Sequence, residues 1–385
     1  MSAPSHPKRS GRTSTLVLIR ALLAIAILVP VSILFVQGWR SASATVATTK
    51  TELDGIAFMR SLQPVLTALT QDESIAVSRE QVDPATINAD MQAATTSDKQ
   101  YGDELETHTR WADFVKAVNN LQKLGKLPPI DEYNAYAAVT NLLLDVYERI
   151  RDRSGLVRDA EPDVFYLEDA AARALPTAVV DADRFGDSII VEFPPSVPSA
   201  IQSALLNVST YRALLDRDSD NVGDDVSDAV DATASQTMSQ PLLANVDQFR
   251  RSIESLEPTL LTPVTPSSLN DESSALQAKA AEESTATALS GALFDQISTL
   301  VIARGNKAKS TERLEVGSLV LAILLVAALI YIDIRRTSGR RPSRPGSQSR
   351  SLARDLDDND RGGHHWGAED SPTGGSVRER AGAPV

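Results

Sequence analysis

Cysteine is absent from the 385 residues of this chain, so disulfides, thiolate metal sites and cysteine nucleophiles are all excluded. Aromatic residues are scarce at 5%, while 42% of residues are hydrophobic and 23% charged. That balance argues against a large aromatic-rich β-sandwich and for helices packed on Leu, Val and Ala. The four histidines, His6, His108, His364 and His365, form no HExxH or similar metal-ligand spacing. Nor is there a P-loop, a GxSxG elbow, a dinucleotide fingerprint or a kinase motif. An enzyme is not expected on these grounds. No catalytic, cofactor-binding or metal-ligating residue is assigned, no ligand-binding residue is specified, and nucleic acid is not expected as a partner.

What is present is unevenly placed. The formal charge of -13 is concentrated in the middle, where Ser41 to Arg313 carries 23 Lys and Arg against 42 Asp and Glu. Lys8, Arg9, Arg12 and Arg20 make the N-terminus basic, and seven arginines between Arg335 and Arg354 do the same for the tail. Two apolar runs lie at the borders. The first is Leu16 to Trp39, whose uncharged part from Ala21 is 19 residues long, close to the length that spans a bilayer. Arg20 can snorkel to the boundary, and Pro30 is expected to kink the helix. The run also fits a signal peptide followed by the small residues Ser41-Ala42-Ser43-Ala44. It exceeds, however, the about 7 to 15 apolar residues usual in such peptides.

The second run, Val316 to Ile332, has 17 uncharged residues, extended by Ile334 and the pair Arg335 and Arg336, with Tyr331 where an interfacial aromatic belongs. A buried soluble helix would carry a polar face, and this run has none. The basic flanks place both termini in the cytoplasm and the acidic middle outside, in contact with membrane lipid at each border. The expected organisation is a cytoplasmic N-terminus (1–15), a membrane helix (16–39), an extracytoplasmic helical domain (40–315), a second membrane helix (316–334) and a disordered cytoplasmic tail (335–385).

Within the outer region, Phe58, Leu62, Val65 or Leu66, and Leu69 mark one helical face, with Pro64 expected to bend it. A polar break at Asp83-Pro84 leads to a helix from about 86 to Lys123, stopped by Gly125 and Pro128-Pro129. Tyr133, Tyr136, Val139, Leu143, Val146 or Tyr147, and Ile150 make a stronger stripe that ends near Gly155. Pro162 suits the first turn of a helix from Asp163 to about Val180, and Ala200 to Leu215 reads as helix. The acidic segment Asp216 to Asp231 is expected to turn the chain, before a short helix at Leu242 to Leu256. The last helix is expected to start at Ser267 or Ser268, with Asp271 completing a capping box. Its core seam is Ala286, Leu289, Leu293, Ile297 and Leu300, and a weak point is expected at Gly305. The one β-like run, Asp187 to Phe193, is too isolated for a sheet. The fold class is therefore all-α: two transmembrane helices bracketing a long helical bundle, with two stacked four-helix bundles as one arrangement.

The stretch SGLVRDAEPDVFYLEDAAARALP, Ser154 to Pro176, resembles a segment of helical extracytoplasmic sensor domains in bacterial chemoreceptors and sensor histidine kinases. Ser154, Leu156, Asp159, Asp163, Tyr166, Leu167, Asp169, Ala170, Leu175 and Pro176 carry the likeness. Leu66 to Ser78 is loosely similar to the start of nitrate- and nitrite-sensing domains, where a Q-x-E-R element is usual. Gln71 and Glu73 match, but Ser74 stands where the arginine, the natural reader of a small oxyanion, would be. The resemblance implies a two-bundle sensory fold, a homodimer and a place in the bacterial inner membrane. With no output domain in sight after the second membrane helix, a signalling partner protein is expected; the alternative is a structural or scaffolding envelope protein without a small-molecule ligand.

Three charged features remain. Asp216 to Asp225 fails as an EF-hand in either register: counting from Asp216, positions 6 and 12 are Asn221 and Ser227, and counting from Asp218 they are Gly223 and Ala229, so the required Glu is missing from both. Arg149, Arg151, Arg153 and Arg158 offer an anion site or, as the simpler reading, pair with Glu148, Asp152, Asp159 and Glu161. The arginine-rich start of the tail suits an anionic inner leaflet, with Thr337, Ser338 and Ser343 as candidate phosphorylation sites.

Overall fold

The structure, a computed structural model, describes residues 11–157, 161–192, 201–233, 236–256 and 272–338. It is all-α, with no strand among the described residues. The helices are α1 (Gly11–Val77), α2 (Pro84–Leu105), α3 (His108–Leu121), α4 (Pro129–Ser154), α5 (Pro162–Asp169), α6 (Leu175–Glu192), α7 (Ile201–Ala232), α8 (Gln236–Leu256) and α9 (Glu272–Ser338). A π-helical turn, Ala170–Ala174, joins α5 to α6. The described residues through Ala328 belong to one compact unit, and those from Leu329 to Ser338 to a second. Both α1 and α9 are 67 residues long, or about 100 Å at 1.5 Å per residue. Each holds a stretch long and apolar enough to cross a membrane, and neither apolar window is buried. Leu22, Ile25, Ile33 and Leu34 in α1, like Leu321, Leu324 and Leu325 in α9, are exposed.

Several sequence expectations need correction. Neither Pro30 nor Pro64, the two places where a bend is expected, ends α1. The polar helix expected over 86–123 is two helices, because Glu106 turns left-handed at φ 51° and its N–H closes on the Gly102 carbonyl. The acidic segment Asp216 to Asp231 lies within α7 rather than at a turn. Asp216, Asp220, Asp224 and Asp228 face outward while Leu215, Val222, Val226 and Ala229 are buried, so the acidic composition masked a helical stripe. The helix foreseen from Asp163 to Val180 continues to Glu192, absorbing most of the β-like run; Phe193 lies outside the described residues. Pro176 cannot donate to a carbonyl four residues back, and the wider turn just before it, where Leu175 N–H reaches the Ala170 carbonyl, accommodates its ring. The capping box at Ser268 and Asp271 lies outside the described residues. At the other end α9 extends past Arg335 to Ser338, with the Arg335 guanidinium 5.5 Å from the Tyr331 ring one turn earlier.

One contiguous core holds the bundle. From α1 it takes Ile56, Phe58, Met59, Leu62, Val65, Leu66 and Leu69, and from α4 the Tyr136-to-Ile150 stripe. The resembling segment serves packing: Leu156, Leu167, Ala170 and Leu175 are all buried. Where α1 crosses α4, a β-carbon at Gly55 would stand 2.5 Å from Ser154 Cβ. Ser154 is buried and short, so it has no room to retreat. Gly55→Ala should therefore destabilise by about 1–3 kcal/mol, measured by urea unfolding in detergent.

The two long helices are antiparallel partners in a single register. Lys279 meets Ser74. Gln71 reaches Glu283 at 2.7 Å and Arg60 reaches Asp295 at 2.7 Å. Arg304 pairs with Glu52, Gly305 faces Thr49, and the Glu315 side chain lies over Gly38. Every step back along α1 is matched by an equal step forward along α9, so α1 and α9 stay side by side from residue 74 to residue 38. That distance is roughly 54 Å of helix.

Candidate functional site

At the far end of that helix pair, three helices bring charge into the core. Glu73 and Ser74 come from α1, Asp183 and Asp187 from α6, and Lys279 and Glu282 from α9. Asp183 and Asp187 lie one helical turn apart and so share a face of α6. Ser74 and all four carboxylates are buried, and the Lys279 side chain is only 13% exposed. The Lys279 ammonium pairs with Asp183, donates to Ser74 Oγ, and lies 3.5 Å from Asp187 Oδ1. Ser74 Oγ is 3.2 Å from Asp183 Oδ1 and 2.9 and 3.1 Å from the two Asp187 oxygens. One carboxylate oxygen each from Glu73, Asp183 and Asp187 lies within 4.8 Å of the others.

Charge in this cluster is unbalanced, with four carboxylates around one ammonium. Burial, reinforced by Asp183 and Asp187, pushes the Glu73 carboxyl well above its ordinary range. Burial and the neighbouring Asp187 raise Asp183 to about 7, although Lys279 and Ser74 oppose the shift. Asp187 is raised by burial, and Glu282 well above its usual value by burial and by Glu283. Burial alone would discharge Lys279, but Asp183 and Asp187 outweigh it and hold the ammonium charged. The surplus of negative charge therefore sits on carboxyls held above their ordinary range, Asp183 among them at about 7. Glu73 Oε1, Asp183 Oδ2 and Glu282 Oε1 are buried with no hydrogen-bond partner among the described residues. Beside the cluster is an open cavity of about 230 Å³ lined by Gln71, Ser74, Ile75, Ser78, Lys279 and Glu283, so Ser74 and Lys279 stand between solvent and the buried carboxylates.

The structure sorts the residues singled out in the sequence. Gln71, Glu73 and Ser74, compared above with a Q-x-E-R element, all fall at this site. The cation missing from position 74 arrives from a different helix as Lys279. In the arginine cluster, Arg149 and Arg153 both pair with Glu106 at the α2–α3 corner. Arg151 pairs with Asp152 as expected, at 3.9 Å, and also with Asp169. Arg158 and Asp159 lie outside the described residues, as do His364, His365 and Ser343. In the acidic part of α7, Asp218 binds Arg217 and Asn221, and Asp220 pairs with Arg250 across to α8. Sequence reasoning missed Asp183, Asp187, Lys279 and Glu282. Their signal was polar residues on core seams: Lys279 and Glu282 each lie seven residues before Ala286 and Leu289, and Glu73 lies four after Leu69. The chain matches no family model, no curated protein and no solved structure with which it was compared.

Proposed function

We propose that this chain is a two-pass protein of the bacterial inner membrane, with both termini cytoplasmic, whose outer helical bundle senses a condition at the buried charged cluster. The helix pair then relays that condition to a partner protein at the inner face. One observation carries the reading: the same two helices, α1 and α9, hold the cluster at one end and run into the apolar stretches at the other, in one register from Ser74 and Lys279 to Gly38 and Glu315. A buried charge imbalance is costly to maintain for stability alone, because apolar residues of similar volume would pack the same space without desolvating ions. Changing the charge state at the cluster alters the attraction of Lys279 for α6 and thus biases the position of α9 against α1. The basic flanks of both apolar runs support the proposed orientation, and the likeness of residues 154–176 to sensor domains supports the class of function.

The absence of cysteine gives a clean test. Ala47→Cys and Asn306→Cys place a pair of exposed thiols beside the Thr49–Gly305 contact. Disulfide formation between them in native membranes should change in rate by about threefold or more when Asp187→Asn is added, equivalent to a bias of under 1 kcal/mol. An unchanged rate would remove the sensory reading in favour of a rigid spacer.

A further inference from the structure

The sensory reading leaves open what the cluster responds to, and its donor set answers in chemical terms. Glu73, Asp183 and Asp187 supply carboxylate oxygens and Ser74 a hydroxyl, with no sulfur and no imidazole among them. Oxygens within 4.8 Å of one another lie within about 2.8 Å of a common centre, close to the about 2.3 to 2.6 Å at which a hard divalent cation is held. Glu73 gives an independent pointer. Its Oε1 accepts none of the hydrogen bonds that join Lys279, Asp183, Asp187 and Ser74, the residue is 1% exposed, and that oxygen lies beside the two aspartates. Lys279 fills the position of a cation but neutralises only one of the surrounding carboxylates, and its side chain borders the 230 Å³ cavity. A flexible four-carbon stem beside open space gives the ammonium somewhere to go.

We propose that the Glu73, Asp183 and Asp187 carboxylates, with the Ser74 hydroxyl, bind one hard divalent cation, and that the Lys279 ammonium withdraws into the adjoining cavity as the ion enters. The tethered lysine acts as an internal competitor, so the site fills only when the external cation is abundant. Withdrawal of Lys279 also breaks its ion pairs with α6, which links occupancy to the α1–α9 helix pair. This inference deepens the sensory reading by naming the ligand class.

The test uses the full chain in nanodiscs of zwitterionic lipid, with Mn²⁺ as the probe, its free concentration read by electron paramagnetic resonance. One saturable Mn²⁺ per chain is expected, displaced by excess Ca²⁺ or Mg²⁺. Lys279→Met should tighten it by about tenfold or more, because a unit charge leaves the site. The Asp183→Asn, Asp187→Asn pair should abolish it. Glu73→Gln, which breaks no hydrogen bond, should weaken it by about tenfold or more and guards against misfolding of the double variant. Weak Mn²⁺ uptake that none of these substitutions alters, as an acidic surface alone would give, overturns the proposal and leaves the sensory reading intact. Saturable, variant-sensitive binding with no effect on the 47–306 pair upholds the site and overturns the sensory reading.

Discussion

Replacing Lys279 with Met is expected to destabilise the bundle by about 3–5 kcal/mol at pH 8 and by far less at pH 5. The substitution keeps the stem that packs in the core and deletes only the ammonium, leaving Asp183, Asp187, Glu73 and Glu282 without their countercharge. Across the cluster the charged groups that act on one another are Glu73 on α1, Asp183, Arg184 and Asp187 on α6, and Lys279, Glu282 and Glu283 on α9. A buried carboxylate that loses its cation escapes the penalty by taking a proton, which is easy at pH 5 and costly at pH 8. The wild-type chain should share the trend in weaker form. Its raised carboxyls include Asp183, Asp181 and Asp225 at about 7 and Asp72 at about 6, against an ordinary aspartate value near 4. Since the folded form then holds more protons than the unfolded form, their stabilisation is full below pH about 4 and is lost as pH rises through about 6 to 7. Each extra bound proton contributes about 1.4 kcal/mol per pH unit. Urea unfolding followed by circular dichroism at both pH values measures this. An equal loss at pH 5 and pH 8 would mean that Lys279 is held by packing and not by its charged partners.

The second large effect is expected where the long helices meet nearer the membrane. Arg304 and Glu52 form an ion pair with side chains 15% and 2% exposed, and the adjacent Gly305 lies against Thr49, where a β-carbon would stand 2.8 Å from Thr49 Cγ2. Arg304→Ala strips the buried Glu52 of this partner and should cost about 3–5 kcal/mol. Gly305→Val wedges the same crossing apart for about 1–3 kcal/mol, without touching charge. In the relay account both loosen the α1–α9 contact, so both should make disulfide formation between the thiols introduced at positions 47 and 306 insensitive to Asp187→Asn. A stability loss of the stated size with the sensitivity intact would assign this crossing to folding alone.

Much of the architecture was legible because it rests on periodicity. The Phe58-to-Leu69 and Tyr133-to-Ile150 stripes and the Ala286-to-Ile297 seam are all buried as their spacing implied. At the end of the seam, Val301 is the fully buried residue and Leu300 only packs against the core, a one-residue drift of the helical face. The failures have a common cause, in that local composition was allowed to outweigh period. Acidic residues hid the stripe in α7, β-branched residues hid the end of α6, and a left-handed Glu106, which no residue type announces, split the second helix. The site was the least legible part. Ser74, Asp183 and Lys279 are far apart in sequence, and each alone reads as an ordinary polar residue on a surface helix. Only the seams of three helices taken together show that they share one core position.

Spin labels at Ala47→Cys and Asn306→Cys, read by pulsed electron double resonance in nanodiscs, test the link between cluster and membrane helices most directly. At pH 8 Asp183, raised to about 7, is charged and holds Lys279, and at pH 5 it is protonated and its hold is lost. The account predicts two different distance distributions, with Asp183→Asn fixing the pH 5 form at both pH values. Identical distributions at pH 8 and pH 5 in the wild-type background would contradict it.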